Sequence, residues 1–183
     1  MNKRVSIISD DCWSYFVHKE LGLEHLTPFY DIKILPEDYL NLVKNFFTID
    51  FDNIKYLGEG EETSDRSYYP KVLLDDSIIL HPIHCFSFYE FKKKWLRRAE
   101  RINFHNLVFK FTNHSGDAEL DALFASLVPN DRKILYTERD LSNVQFDTTL
   151  VRTVRRWDKF EIDDQFNSND SELIDFIHGG GTY

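Results

Sequence analysis

Ser9-Asp10-Asp11-Cys12-Trp13 follows directly on the apolar run Val5-Ser6-Ile7-Ile8, so two carboxylates and a thiol share one turn of chain. Carboxylates in such a turn can take a proton from a hydroxyl, or bridge Mg²⁺ or Mn²⁺ to a diphosphate as nucleotide-sugar chemistry requires. Their blander use is to cap the helix that follows. Cys12 stands at that helix start, where the macrodipole lowers a thiol pKa, and a nearby histidine would make it a base-activated nucleophile. Asp10 and Asp11 oppose this by raising the thiol pKa, and a buried cysteine is ordinarily a small hydrophobe. His81 and His84, separated by Pro82-Ile83, are the candidate bases. They could also join the aspartates around a divalent ion, although no metal-binding motif surrounds them.

A second set of groups suits anion binding. Lys94, Arg98 and Arg101 recur at steps of four and three, with Lys93 and Arg97 beside them. A solvated helix face explains such charges, or Arg98 and Arg101 clamp a phosphate, pyrophosphate or carboxylate through forked hydrogen bonds. Thr112-Asn113-His114-Ser115-Gly116-Asp117 and Thr137-Glu138-Arg139-Asp140 are two further polar clusters, each after an apolar run. Asn113 and His114 are candidate substrate contacts, with Cys12, Trp13, His81, Arg98 and Arg101. Arg152, Arg155 and Arg156 precede a run of acids and are as well suited to internal pairing.

The elements that must position these groups follow from periodicity and punctuation. Residues 5–8 read as a buried strand, and Trp13–Leu21 as a helix stopped by Gly22. Residues 32–34 alternate like a short strand. Pro36, with Glu37 and Asp38, opens a helix to about Phe47. Residues 54–57 read as a strand and 58–67 as a loop. Residues 71–80 form a hairpin turning at Asp75-Asp76. Ser87-Phe88-Tyr89-Glu90 has the capping-box pattern and opens a helix to about Arg101, whose apolar stripe is Phe88, Phe91, Trp95, Ala99 and Ile102. Strands are predicted at 107–111, 133–136 and 150–154, and helices at 117–127 and 170–178. Units 87–112 and 107–136 look like crossovers between parallel strands. The expected fold is α/β, a single domain with a mixed, partly parallel sheet flanked by helices. Residues 1–157 make the domain, and 158–183 an acidic extension whose short helix packs on it. In such sheets ligands lie beyond the carboxyl ends of the strands, where the polar clusters fall.

Composition narrows the partners. The 183 residues suit one domain, and 22 basic against 31 acidic residues give a net charge of −9, which argues against nucleic-acid binding. The locally basic stripe suits a small anion better. Two cysteines are too few for a disulfide scaffold or a structural zinc site. No signal-peptide h-region or membrane-spanning run is visible, so the expectation is a cytoplasmic protein. Sixteen Phe, nine Tyr and three Trp supply either core or stacking surface; those at helical spacing read as core.

Residues 5–137 resemble an uncharacterised bacterial family whose members are commonly described as exopolysaccharide or capsular polysaccharide biosynthesis proteins. The resemblance is carried by Ile7-Ile8-Ser9-Asp10-Asp11-Cys12-Trp13, Leu21-Gly22-Leu23, Thr27-Pro28-Phe29 and Tyr69-Pro70. It continues in His84, Glu90, Trp95, Arg98, Arg101, Ile102 and Asn103. Asp10 and Asp11 replace asparagines of the family's turn, Cys85 stands where an aromatic is usual, and Asn113-His114 replaces an acidic-basic pair. The resemblance implies a setting in surface-sugar assembly. The expectation is a transferase, glycosyl or acyl, acting on an activated or phosphorylated sugar. Asp10 and Asp11 would work on a hydroxyl or a divalent metal, His84 as acid/base, Arg98 and Arg101 as anion clamp, and Trp13 as a stacking platform. The alternatives are a non-catalytic module that binds glycans or polysaccharide-assembly enzymes, and a Cys-His hydrolase using Cys12.

Overall fold

The computed structural model describes residues 4–61, 68–127, 132–137, 139, 149–153 and 170–179. Strands β1 (Ser6–Ser9), β2 (Ile54–Glu61), β3 (Tyr68–Leu74), β4 (Ile78–Leu80), β5 (Leu107–Asn113), β6 (Arg132–Thr137) and β7 (Thr149–Thr153) combine with five helices. The helices are α1 (Trp13–Leu21), α2 (Pro36–Asn45, continued by a 3₁₀ turn at Phe46–Thr48), α3 (Phe88–Ala99), α4 (Ala118–Ser126) and α5 (Ser171–His178). The fold is α/β, with its parallel and antiparallel strands in separate sheets. β1, β5, β6 and β7 are neighbours in one parallel sheet, and β2, β3 and β4 form an antiparallel one.

Alternation along the parallel strands divides the core in two. Ile8, Leu107, Phe109, Phe111 and Leu135 face a large cluster with Tyr39 and Val43 of α2, Phe91 and Trp95 of α3, Phe124 of α4, and the inner residues of the antiparallel sheet. Ile7, Val108, Ile134 and Tyr136 face the other way, against Trp13 and Val17 of α1 and Leu173, Phe176 and Ile177 of α5. Most rings are packing, as their spacing suggested: Phe46 lies 5.1 Å from Phe109 and 5.4 Å from Phe51. The Trp95 indole N–H donates to the Phe51 carbonyl at 2.8 Å. Arg132 donates to the Phe176 carbonyl and, at 2.7 Å, to that of Ile177, satisfying carbonyls at the end of α5.

Local signals govern most element ends. Gly22 takes the left-handed conformation (φ 59°) that closes α1. The Asp117 and Asp170 carboxylates accept from Glu119 N and Leu173 N, capping α4 and α5. Left-handed Asp75 and Asp76 (φ 48° and 55°) turn β3 into β4.

Four expectations change. Ser87 has the extended backbone of an N-cap, but its hydroxyl makes no capping bond, so the capping box does not form. Residues 32–34 give one bridge, Lys33 with His81, in place of a strand. That bridge, with Ile34 N donating to the Asp10 carbonyl at 2.8 Å, strings the segment between the ends of β1 and β4. The unit 87–112 is not a crossover within one sheet, because β4 belongs to the antiparallel sheet; β5–α4–β6 does join parallel neighbours. β2 runs through Glu61, taking in the start of the expected loop, with a bulge between Tyr56 and Gly58. Residues 62–67 and 154–169, which include Arg155 and Arg156, lie outside the described residues.

Candidate functional site

β1 and β5 are parallel neighbours in register, with Ser9 beside Lys110, so the turn after β1 opens next to the last residues of β5. Lys110 has no solvent exposure. A buried ammonium requires counter-charge, and the turn provides it. Lys110 Nζ lies 2.6 Å from Asp11 Oδ2 and 3.2 Å from Asp10 Oδ1, and also donates to Thr112 Oγ1. Asp10 Oδ2 accepts from Thr112 N at 3.0 Å. Asp11 Oδ1 accepts from Ser9 Oγ at 2.9 Å and from Trp13 N at 3.0 Å, tying the carboxylate to the first turn of α1. The rings of Trp13 and Tyr136 flank the ammonium at 5.8 and 5.6 Å, within cation–π range.

The two carboxyls differ in their proton affinity. Burial raises Asp10 to about 7 against the pull of Lys110, with the Asp11 charge adding to the rise. Burial also acts to raise Asp11, but Lys110 and the hydrogen bonds from Trp13 and Ser9 outweigh this and hold it below the ordinary carboxylate range. One carboxyl therefore exchanges its proton near neutrality beside another that stays ionised. Such a split pair is a common acid–base arrangement.

Next along the sheet edge, Asn113 and Asp121 form a second buried polar group. Asn113 Nδ2 donates to Asp121 Oδ1 and to the Asp117 carbonyl, both at 2.7 Å. Thr137 Oγ1 donates to Asp121 Oδ2 at 3.0 Å, and Arg139 lies 3.7 Å from that oxygen. The ends of β1, β5 and β6 thus line one edge of the parallel sheet. Asn113 is committed to holding α4 against it, while His114 is exposed just beyond.

Other candidates fall elsewhere. Trp13 is fully buried against Lys110, so its ring is not a platform for a sugar. Cys12 is buried, and burial with the charges of Asp11 and Asp31 pushes its thiol up to about 12, the reverse of activation. His81 sits at the end of β4, its Nδ1 3.0 Å from the Tyr69 hydroxyl. His84 is exposed in the following turn, and no contact joins it to Asp10 or Asp11. Among the described residues no group of three or more His, Cys, Asp or Glu side chains could hold a metal ion; the cation between Asp10 and Asp11 is the Lys110 ammonium.

Arg98 and Arg101 also part company. The Arg98 guanidinium lies over the Tyr30 ring, 5.1 Å from its centroid. Arg101 lines an open cleft of about 760 Å³ with Arg4, Glu24, His25 and Asn103. Part of the motif that ends α3 holds the fold together. Asn103 N donates to Ser6 Oγ at 2.8 Å and its side chain to the Arg4 carbonyl at 2.6 Å, pinning the chain after α3 to the start of β1.

Lys110 and Tyr136 join the group around Asp10 and Asp11 although the polar clusters at the strand ends do not include them. The signal was present, since a lysine inside Leu107-Val108-Phe109-Lys110-Phe111 must find buried acids.

An uncharacterised protein of Haemophilus influenzae (strain Rd) is 27% identical over 138 residues, covering 75% of this chain and 64% of the relative. The match thus spans less than two thirds of the relative's length. No helix among the described residues is long and apolar enough to cross a membrane. The family described as Domain of unknown function (DUF1919) matches residues 1–177, and the chain belongs to it.

Proposed function

We propose that the chain is a transferase acting on an activated or phosphorylated sugar, with Asp10 as general base. An acceptor hydroxyl gives its proton to the Asp10 carboxylate as its oxygen bonds to the donor carbon, and the bond from that carbon to its leaving group breaks, a phosphate or diphosphate in glycosyl transfer and a thiolate in acyl transfer from acyl-CoA. Ionised Asp11 and Lys110 hold Asp10 in place throughout. The supporting observation is the Asp10 carboxyl itself, buried beside Lys110 at the carboxyl end of β1 and poised at about 7. Surface-polysaccharide assembly as the setting rests on the resemblance of the turn and α3 motifs.

The test is a stability screen against nucleotide sugars, sugar phosphates and acyl-CoA, followed by a transfer assay with the ligand that binds. A ligand at a hundred times its Kd stabilises by about 2.7 kcal/mol. Asp10→Asn should keep the fold and abolish transfer. Undiminished transfer in that variant, or no stabilisation by any of these donors, overturns the reading.

A second reading, a non-catalytic glycan- or partner-binding module, is favoured by exposed rings near the start of α3. Phe86 and Tyr89 are 81% and 77% exposed, and Tyr56 of β2 lies 5.6 Å from Phe88. It predicts glycan binding that is lost in Tyr89→Ala and unchanged in Asp10→Asn.

A further inference from the structure

The loop between α1 and α2 meets α3 through a group of polar rings outside the Asp10–Lys110 cluster. Tyr30 is 2% exposed, and its hydroxyl is buried with no hydrogen-bond partner. Leaving a buried phenol unbonded is unfavourable, so such an atom calls for a ligand. The Tyr30 ring lies edge-on to His25 at 5.0 Å and to His18 at 5.2 Å. His18 is buried, with Nδ1 2.6 Å from the Ser14 carbonyl, and its ring stacks on that of His25 at 5.8 Å. Exposed His25 is therefore backed by a fixed ring, and it also lines the open cleft that contains Arg101.

Arg98 completes the group. Its guanidinium is half-buried over Tyr30, and among the described residues no carboxylate lies within 4.0 Å of it. The same holds for Lys94, one turn earlier on α3. Both act on the Cys85 thiol, so they share a neighbourhood; Asp31 and Glu90 are the carboxylates whose charges also reach it. Burial raises the Tyr30 hydroxyl above its ordinary range, so it stays protonated and able to donate.

We infer that Tyr30, His25 and Arg98 form a binding site for a phosphate group. The guanidinium fork alone would satisfy a carboxylate, with two oxygens. The Tyr30 phenol and the His25 imidazole, whose rings are neighbours, offer further donors for the additional oxygens of a tetrahedral phosphate. The site goes beyond the acid–base reading of Asp10 and stands without it.

Titration of the whole chain with inorganic phosphate, at constant ionic strength and followed calorimetrically, tests this. Saturable binding is expected. Tyr30→Phe removes one oxygen and should weaken it about tenfold. Arg98→Gln should abolish it, and Arg98→Lys should restore it only in part. Circular dichroism checks that each variant is folded, and Tyr30→Phe, which keeps the ring, serves if Arg98→Gln does not fold. Asp10→Asn should bind phosphate as the parent does, which separates this site from the proposed transferase centre. The inference is overturned if phosphate does not saturate, if Tyr30→Phe and Arg98→Gln bind like the parent, or if acetate at the same ionic strength binds equally well.

Discussion

Lys110 and Asp11 meet across two adjacent parallel strands, Nζ to Oδ2 at 2.6 Å, with the lysine fully shielded and the aspartate side chain 16% exposed. Asp10, with its own oxygen 3.2 Å from the same nitrogen, makes the group one cation against two carboxyls. Lys110 neutralises one of the two carboxylates, so of the pair it is Asp10 that takes up a proton, and it does so near neutral pH. That is the physical basis of both the proposed chemistry and the first two predictions.

Removing the cation alone should damage the fold. Lys110→Met leaves the Asp10 and Asp11 carboxyls buried without their counter-charge, and breaking a buried pair in this way costs about 3–5 kcal/mol. Adding Asp10→Asn and Asp11→Asn removes the stranded charge and should recover most of the loss. Urea unfolding of the single and triple variants measures both. Equal instability would mean that Lys110 contributes through packing and not through charge.

The pH dependence of stability has a defined sign. Asp10 is raised to about 7 in the folded chain, against 3.8 as its ordinary value, so between these limits the native state holds a proton that the unfolded state has released. Stability from this group is fully present below pH ~4 and declines as pH rises to ~7, by about 4 kcal/mol at most. Asp11, held low, acts oppositely and only at pH below its ordinary range, where its stabilisation is lost on acidification. Asp10→Asn should flatten the decline between pH 4 and 7. An unchanged slope in that window would refute the assignment of the proton.

The β2–β3 pair carries a steric prediction. Gly60 lies opposite Tyr69, and a Cβ at residue 60 would run into the Tyr69 ring. The Tyr69 hydroxyl is in turn fixed by His81, so the ring is not free to swing away. Gly60→Ala should cost about 1–3 kcal/mol, as overpacking does. Tyr69→Ala in the same chain should remove that increment, which a double-mutant cycle by chemical denaturation would report.

Much of the fold was legible because its signals are local. Gly22, Asp117 and Asp170 act on backbone groups within three or four residues of themselves, so their roles follow from neighbouring sequence. The clustering of Asp10 with Asn113 and Thr137 required only that β1, β5 and β6 be parallel neighbours. What escaped was non-local. His84 was placed beside Asp10 on the assumption that the hairpin shares the main sheet, whereas β4 pairs only with β3 in the second one. Nothing in its local sequence gives Lys110 its partners, which lie about a hundred residues away in sequence. Arg98, Arg101 and Asn103 look like one motif in the sequence, yet Arg98 lies over the Tyr30 ring while Arg101 and Asn103 line a cleft, and of these two it is Asn103 that bonds to Arg4 and Ser6 at the start of β1.

That separation can be tested. Asn103→Ala removes the side-chain donation to the Arg4 carbonyl and the bond that Oδ1 accepts from His105 N, while the backbone bond to Ser6 Oγ remains, and should cost about 1 kcal/mol. Arg101→Ala removes an exposed side chain and should stay within about 0.5 kcal/mol. Equal costs would show that the two residues share one structural role.

The cysteines give the last prediction. Burial pushes the Cys12 thiol up to about 12, helped by Asp11 and Asp31, and burial likewise raises Cys85, where Lys94 and Arg98 pull the other way. Reaction with an electrophile requires thiolate, so at pH 7 about one Cys12 in 10⁵ is competent, before accessibility is considered. Cys85 shares the burial but has two cations near it, so it should be the faster of the two. Native labelling by iodoacetamide at pH 7 should therefore be slow at both positions and slowest at Cys12, and both should react rapidly once urea unfolds the chain. Arg98→Gln should slow Cys85 further and leave Cys12 unchanged, because Arg98 acts on the former and is not among the groups that shift the latter. Peptide mass mapping of labelled protein distinguishes the sites. Rapid native labelling of Cys12 that is lost in His84→Ala would instead revive the Cys-His hydrolase reading.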